Sequence, residues 1–211
     1  MRSLLTLNHS VSKIIVFIIS SVLFLTNCTN NKVESSDSEQ RDKDSVALTK
    51  LVRDVYQWYE SSPNRFIFVP TAIIESDSSF SEIDLTKLNK DISLLQSSNY
   101  FNTHFIDNYK TIVLNINDLL NSGEMIWHVG ELPPFGNDAD PWCNCQDSPE
   151  QYWKTIILSN LSIHKNEAAF SWTWGGDFAY KAIAHKENNS WKISYLQGFD
   201  KHTFLPQHVI K

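Results

Sequence analysis

The chain has 211 residues, 42% of them hydrophobic, enough for one core-bearing domain with appendages. Seven Trp, seven Tyr and twelve Phe stand against only six Gly, which favours a sheet with large buried side chains over a glycine-rich nucleotide-binding fold. The formal net charge is −6, and no Lys/Arg cluster interrupts that acidity, which argues against nucleic acid and against polybasic attachment to anionic lipid.

Residues 1–27 read as three zones: a positive start carrying Arg2 and Lys13, an uncharged apolar run over 14–25, and Leu25-Thr26-Asn27 ahead of Cys28. A run of about a dozen residues falls short of the roughly 20 that a membrane span requires and suits a signal-peptide core. Leu25-Thr26-Asn27-Cys28 resembles the lipobox of bacterial lipoproteins, with a Leu three residues before the cysteine. The resemblance implies cleavage before Cys28, acylation of Cys28 and a lipid anchor in the bacterial cell envelope. In enteric bacteria an Asp after that cysteine retains lipoproteins at the inner membrane; Thr29 stands here, which favours the outer membrane. Cleavage would remove Arg2 and Lys13, the only charges in that segment, and make the chain more acidic still.

Residues 28–44 form the second segment of three. Their side chains are almost all polar, Val33 excepted. They offer little surface to bury against the entropy of ordering, so the expectation is a flexible tether between the lipidated Cys28 and a domain over 45–211. A first helix is expected from Asp44 or Ser45, both good N-caps, with Leu48, Leu51, Val52, Val55, Tyr56 and Tyr59 on one face and a stop at Ser61-Ser62-Pro63-Asn64. Residues 66–69 read as extended before Pro70. A second helix is expected over about 81–96, capped by Ser81, with Leu85, Leu88, Ile92 and Leu95 as its stripe. A third is expected over about 98–121, with Phe101, Phe105, Tyr109, Ile112 and Ile116 inward and a stop at Asn121-Ser122-Gly123.

Residues 130–149 read as loop. After them the apolar period changes to two, predicting strands over 154–164, 168–174, 178–186 and 191–197. Gly175-Gly176-Asp177 and Asn188-Asn189-Ser190 mark tight turns. Phe170, Trp172 and Trp174 should share one face, as should Phe178, Tyr180, Ala182 and Ala184, and Trp191, Ile193 and Tyr195. Helices followed by an antiparallel meander define an α+β domain.

Three helices and a four-strand meander closing on Trp191-Lys192-Ile193 resemble the nuclear-transport-factor-2-like fold. An uncharacterised family of bacterial lipoproteins with that fold is the nearest likeness. It rests on Val52-Arg53-Asp54-Val55-Tyr56-Gln57-Trp58-Tyr59, on Asp140-Pro141-Trp142 followed by Gln146-Asp147, and on the closing strand. The resemblance implies helices packed in the concavity of a curved sheet and a conical pocket. It implies no catalytic residue.

Chemistry-bearing motifs are sparse. Cys143-Asn144-Cys145 admits three readings: incidental or structural thiols, a disulfide, or a soft-metal site. Four zinc ligands would require partners beyond the pair, with His128 and Asp147 the nearest, so no metal is assigned. A disulfide requires the chain to turn, because extended i, i+2 Cα atoms lie about 6.6–7 Å apart. Asn137, Asp138, Asp140 and Asp147 lack the Gly and Glu that a calcium loop of the EF-hand type carries. Trp174-Gly175-Gly176-Asp177-Phe178 superficially resembles a cyclase signature but lacks its Glu, and reads as a hairpin. The histidines His104, His128, His164, His185, His202 and His208 form no metalloprotease pair, and there is no nucleophile elbow or phosphate loop.

No cofactor and no catalytic residue are assigned. Trp172, Tyr180 and Tyr56 are the candidate ligand-binding residues, with a packed core as the rival reading of the same side chains. The expected partners are the membrane, through the lipid, and an unidentified protein or small molecule, in an immunity- or inhibitor-like role among others. The alternative is isomerase- or dehydratase-type acid/base chemistry in the cone, drawing on Asp54, Tyr56, Tyr109 and Tyr180.

Overall fold

A computed structural model describes residues 27–62, 78–136 and 139–205. The chain divides into two units, Met1–Ser45 and Val46–Lys211. Among the described residues no helix is long and apolar enough to cross a membrane. Residues 1–26 of the expected signal segment, the expected extended piece at 66–69, Asn137, Asp138 and His208 lie outside the described residues.

Helix α1 spans Asn27–Ser61. Its first part, in the first unit, starts well before the cap expected at Asp44 or Ser45, so the segment expected as a tether is helical. No Gly or Pro interrupts 27–61, and side chains one turn apart support one another: Lys43 pairs with Glu39 at 2.7 Å, and the Gln40 amide donates to Asp44 at 3.1 Å. The side chains of 38–43 are exposed, so there such pairs rather than burial support the helix. That stretch therefore leaves no apolar period to read in the sequence.

The second unit carries the core. From Leu48 to Tyr59 the α1 face expected from the 3, 4 spacing is buried throughout. Strand β1 (Ser79–Phe80) pairs antiparallel with β2 (Trp127–His128). Helix α2 spans Leu85–Ser98 and α3 spans Thr103–Ser122. Asp84, not Ser81, caps α2, its carboxylate accepting from the N–H groups of Thr86 and Lys87. Residues 81–83 are thereby left outside the helix, and Ile83 donates its N–H to the Asn117 side chain of α3. Asn99 in the left-handed region stops α2, Asn102 caps α3, and Gly123 at φ 72° stops it. Phe101 thus lies between the helices, buried, in a parallel bridge with Ile193.

The sheet is a meander ordered β3-β4-β5-β6: Ile157–His164, Glu167–Thr173, Tyr180–Glu187 and Ser190–Leu196. A short 3₁₀ turn, Tyr152–Lys154, precedes β3 in place of the strand start expected at 154. A second, Gln197–Phe199, and the four-residue α4, Lys201–Phe204, follow β6. Gly175 and Gly176 have φ of 121° and 63°, and Asn188 and Asn189 have φ of 50° and 63°. Both turns therefore have the positive φ that Gly and Asn tolerate best.

Ala168, Phe170 and Trp172 on β4 and Tyr180, Ala182 and Ala184 on β5 are buried on one face. Tyr195 does not continue the face of Trp191 and Ile193. Ile193 pairs with Ala184, but Tyr195 pairs with Ile183 and Leu196 with Ala182, so Ser194 is an extra residue on β6. This bulge reverses the alternation, and Leu196 takes the inward place. A second register shift lies in β3 at Asn160, φ 53°. The other edge of the sheet is covered, since Ile193 donates to Tyr100 O and accepts from Asn102 N–H at 2.8 and 3.0 Å. Helices and sheet are joined there by backbone bonds.

Trp172 is fully buried (0% exposed), with ring centroids of Tyr56, Phe178 and Tyr180 at 4.5, 5.1 and 5.4 Å. Truncation by Trp172→Ala should cost about 3–5 kcal/mol, read by denaturant unfolding. A loss under about 1 kcal/mol would mean that water or ligand, not packed protein, surrounds the ring.

Candidate functional site

The loop at 139–145 begins as a self-bonded turn. The Asp140 N–H donates to the Cys145 carbonyl at 2.9 Å, and the Asp140 carbonyl accepts the N–H groups of Cys143 and Asn144 at 3.2 and 2.5 Å. One Asp140 carboxylate oxygen takes the Trp142 N–H, and the other takes the Tyr59 hydroxyl, both at 2.9 Å. An Asp before Pro has the extended backbone and short acceptor that such a turn requires.

Tyrosines from distant elements hold the rest of the loop. The Tyr56 hydroxyl donates to the Trp142 carbonyl at 2.6 Å, and the Tyr180 hydroxyl donates to the Pro141 carbonyl at 2.5 Å while accepting the Gly198 N–H at 2.9 Å. Gly198 is confined to its type, because a Cβ there would lie 2.6 Å from the Pro141 carbonyl carbon. Trp142 is buried between α1, the Phe101 connector and the C-terminal turn. Its ring stacks on Tyr59 at 4.7 Å and meets Phe199 edge-on at 5.1 Å.

Burial pushes the Tyr56 and Tyr180 hydroxyls well above the usual tyrosine value. Both are therefore protonated donors at neutral pH. Tyr152 is also raised, by burial first and then by Glu60.

Trp172, Tyr180 and Tyr56, named from sequence as candidate ligand contacts, are brought together. None is more than 1% exposed, so as placed they form the packed centre of the domain. The other acid/base candidates are dispersed. Asp54 pairs with Lys50 at 2.5 Å, and Tyr109 lies on α3, its hydroxyl pushed up by burial first and then by Asp91 of α2. Trp142, quoted above only as part of a motif, is the core side chain that sequence reasoning did not single out, because it lies in a stretch read as loop. The apolar triplet Pro141-Trp142-Cys143 inside a polar loop was the available signal.

Cys143 and Cys145 form a disulfide with Cα atoms 5.1 Å apart. The pair can close because Asn144, at φ 53°, turns the chain between them. Among the described residues no group of three or more His, Cys, Asp and Glu is placed to hold a metal. On the outer sheet face His164, Glu167, His185 and Lys192 lie in one cross-strand row, with His185 and Glu167 in contact at 2.8 Å. Among the described residues a recess of about 920 Å³ runs along α2, lined by residues such as Thr86, Lys90, Leu94 and Ser97 of that one helix. Ile126, Val129 and Leu132 are exposed (64%, 45% and 72%) on the segment that carries β2. Compared with protein-family models, curated proteins and solved structures, the chain matches none.

Two substitutions test this account. Tyr180→Phe should lose about 1–3 kcal/mol, because it leaves a buried carbonyl and a buried N–H without their shared partner. Tyr195→Phe, whose half-buried hydroxyl meets Asp200 at 3.2 Å, should lose less in the same denaturant series.

Asp91 is buried with one carboxylate oxygen unpartnered. Desolvation raises its pKa above the ordinary 3.8, against the pull of Lys87 and Tyr109. A raised carboxylate penalises the folded state fully above its folded value and not at all below its unfolded value. Asp91→Asn should therefore be more stable than the parent at neutral pH. Thermal midpoints should show that advantage shrinking as pH falls toward the ordinary Asp value; a constant difference at all pH would refute it.

Proposed function

We propose that the chain is a lipid-anchored bacterial envelope protein that acts by binding a protein partner, without catalysis. The observation carrying this reading is the filled centre: Trp172, Tyr180 and Tyr56 occupy the place where a ligand cone would need space, and the hydroxyls of Tyr56 and Tyr180 are engaged by backbone. Because those three side chains are at most 1% exposed, the reading places recognition on the surface. Among the described residues the segment holding Ile126, Val129 and Leu132 offers three exposed large apolar side chains close together in sequence, as protein-binding surfaces do.

We read the fold as nuclear-transport-factor-2-like. Support comes from the order of long helices followed by a meander, and from the helix connector laid along β6. The anchor is assigned to Cys28 on the strength of Leu25-Thr26-Asn27-Cys28. In detergent phase separation the parent chain made in bacteria should enter the detergent phase and Cys28→Ala should not; partitioning of the processed variant would remove the anchor from the proposal. For the partner, a photo-cross-linker at position 132 in intact envelopes should yield a discrete adduct that Ile126→Asp abolishes, while one at exposed position 96 should yield none. Equal yields at both positions would overturn the docking surface.

A further inference from the structure

We propose that Cys143–Cys145 is a thiol–disulfide exchange site, with Cys145 the sulfur attacked, Cys143 the sulfur released, and a dithiol of another molecule as its partner. A cross-link stabilises a fold mainly by restricting the unfolded chain, and the effect grows with the length of the loop closed. Here one residue separates the cysteines, so the bond restricts the unfolded chain far less than a long-range cross-link does, and stability is a weak reason for it.

The turn that presents the two sulfurs has supports besides the bond. It is held by the backbone bonds at Asp140, by the Asp140 carboxylate, and by the hydroxyls of Tyr56, Tyr59 and Tyr180. Opening the disulfide leaves the two thiols side by side, ready to close again. Burial differs between them. Cys143 is 3% exposed, whereas Cys145 is partly exposed and flanked by exposed Asn144 and Gln146. A thiolate must attack in line with the S–S bond, and from solvent it meets Cys145 with Cys143 as the leaving group.

A thiolate of the donor dithiol attacks the Cys145 sulfur, the S–S bond breaks, and its electron pair leaves with Cys143, which takes up a proton. The Cys143 sulfur lies 3.6 Å from the Asp140 carbonyl oxygen and 3.8 Å from that of Cys145, within reach of an S–H donor. The donor's second thiol then attacks its own sulfur in the mixed disulfide, releasing Cys145 and leaving the donor as a disulfide. Two electrons and two protons pass to the loop; in reverse the loop oxidises a dithiol.

The test uses the full chain with glutathione and dithiothreitol as probes. In native buffer dithiothreitol should reduce the bond with the far- and near-ultraviolet dichroism retained and the thermal midpoint within about 3 °C of the oxidised chain. Glutathione trapped by acid quench should map by fragmentation to Cys145, Cys28 being on another tryptic peptide. In the folded state Cys143→Ser should react with a thiol reagent at position 145 at least about tenfold faster than Cys145→Ser reacts at 143. Reduction that occurs only in denaturant, or glutathione found chiefly on Cys143, would overturn the proposal. The mapping on the parent chain decides if either Ser variant fails to fold.

Discussion

A buried carbonyl must find a donor, and in this domain the carbonyls of Pro141 and Trp142 find theirs in tyrosine hydroxyls from elements 39 and 86 residues away in the chain. Unpaired, each would carry a desolvation penalty of about 1–3 kcal/mol. Paired, they fix the loop against α1 and β5 at once and seat the Trp142 ring between the helices and the C-terminal turn. The Tyr180 oxygen also serves the Gly198 N–H, so the sheet, the loop and the chain after β6 meet at a single atom. The close approach of Gly198 to Pro141 follows from that meeting, as does the absence of room for any side chain there.

That arrangement governs what remains for function. The hydroxyls of Tyr56 and Tyr180 are committed to backbone, and burial holds them protonated. The interior is occupied by rings; Tyr152 stacks over Trp172 at 6.3 Å, and Trp174 stacks on Phe178 at 3.8 Å across the Gly175-Gly176 turn. On the roles proposed above, chemistry and recognition lie at the periphery: the disulfide at the tip of the clamped loop, and the exposed apolar side chains beside β2. The proposed exchange site on its clamped turn and the proposed docking surface are compatible roles for one domain.

The two bulges show how far alternation alone carries. On β4 and β5 the alternation Phe170, Trp172 and Tyr180, Ala182, Ala184 is inward as the sequence pattern requires. On β6 it fails after Ile193, because Ser194 is inserted opposite the pair Ile183 and Ala184. Ser194 uses its hydroxyl to donate to Ile183 O at 3.2 Å, a local bond with no signature in the apolar pattern. Likewise Asp84 rather than Ser81 caps α2, because Ile83 is needed as a buried residue and its N–H is taken by Asn117; both residues could cap, and only packing chooses.

The amino-acid sequence by itself determined the fold class, the inward faces of α1 and α3, the four strands of the meander and its two tight turns. Those features depend on the spacing of apolar side chains and on residues that tolerate positive φ, and both are local. It also contained the lipobox-like segment, whose chemistry is a matter of order along the chain. Only the tertiary structure decided that Trp142 is core, that Cys143 and Cys145 are joined, that Tyr56, Trp172 and Tyr180 pack against one another with little room for solvent, and that Asp54 and Tyr109 lie apart from them. Each of those depends on a contact between residues far apart in sequence or on the turn that brings near ones together, and no periodicity records which hydroxyl will reach which carbonyl.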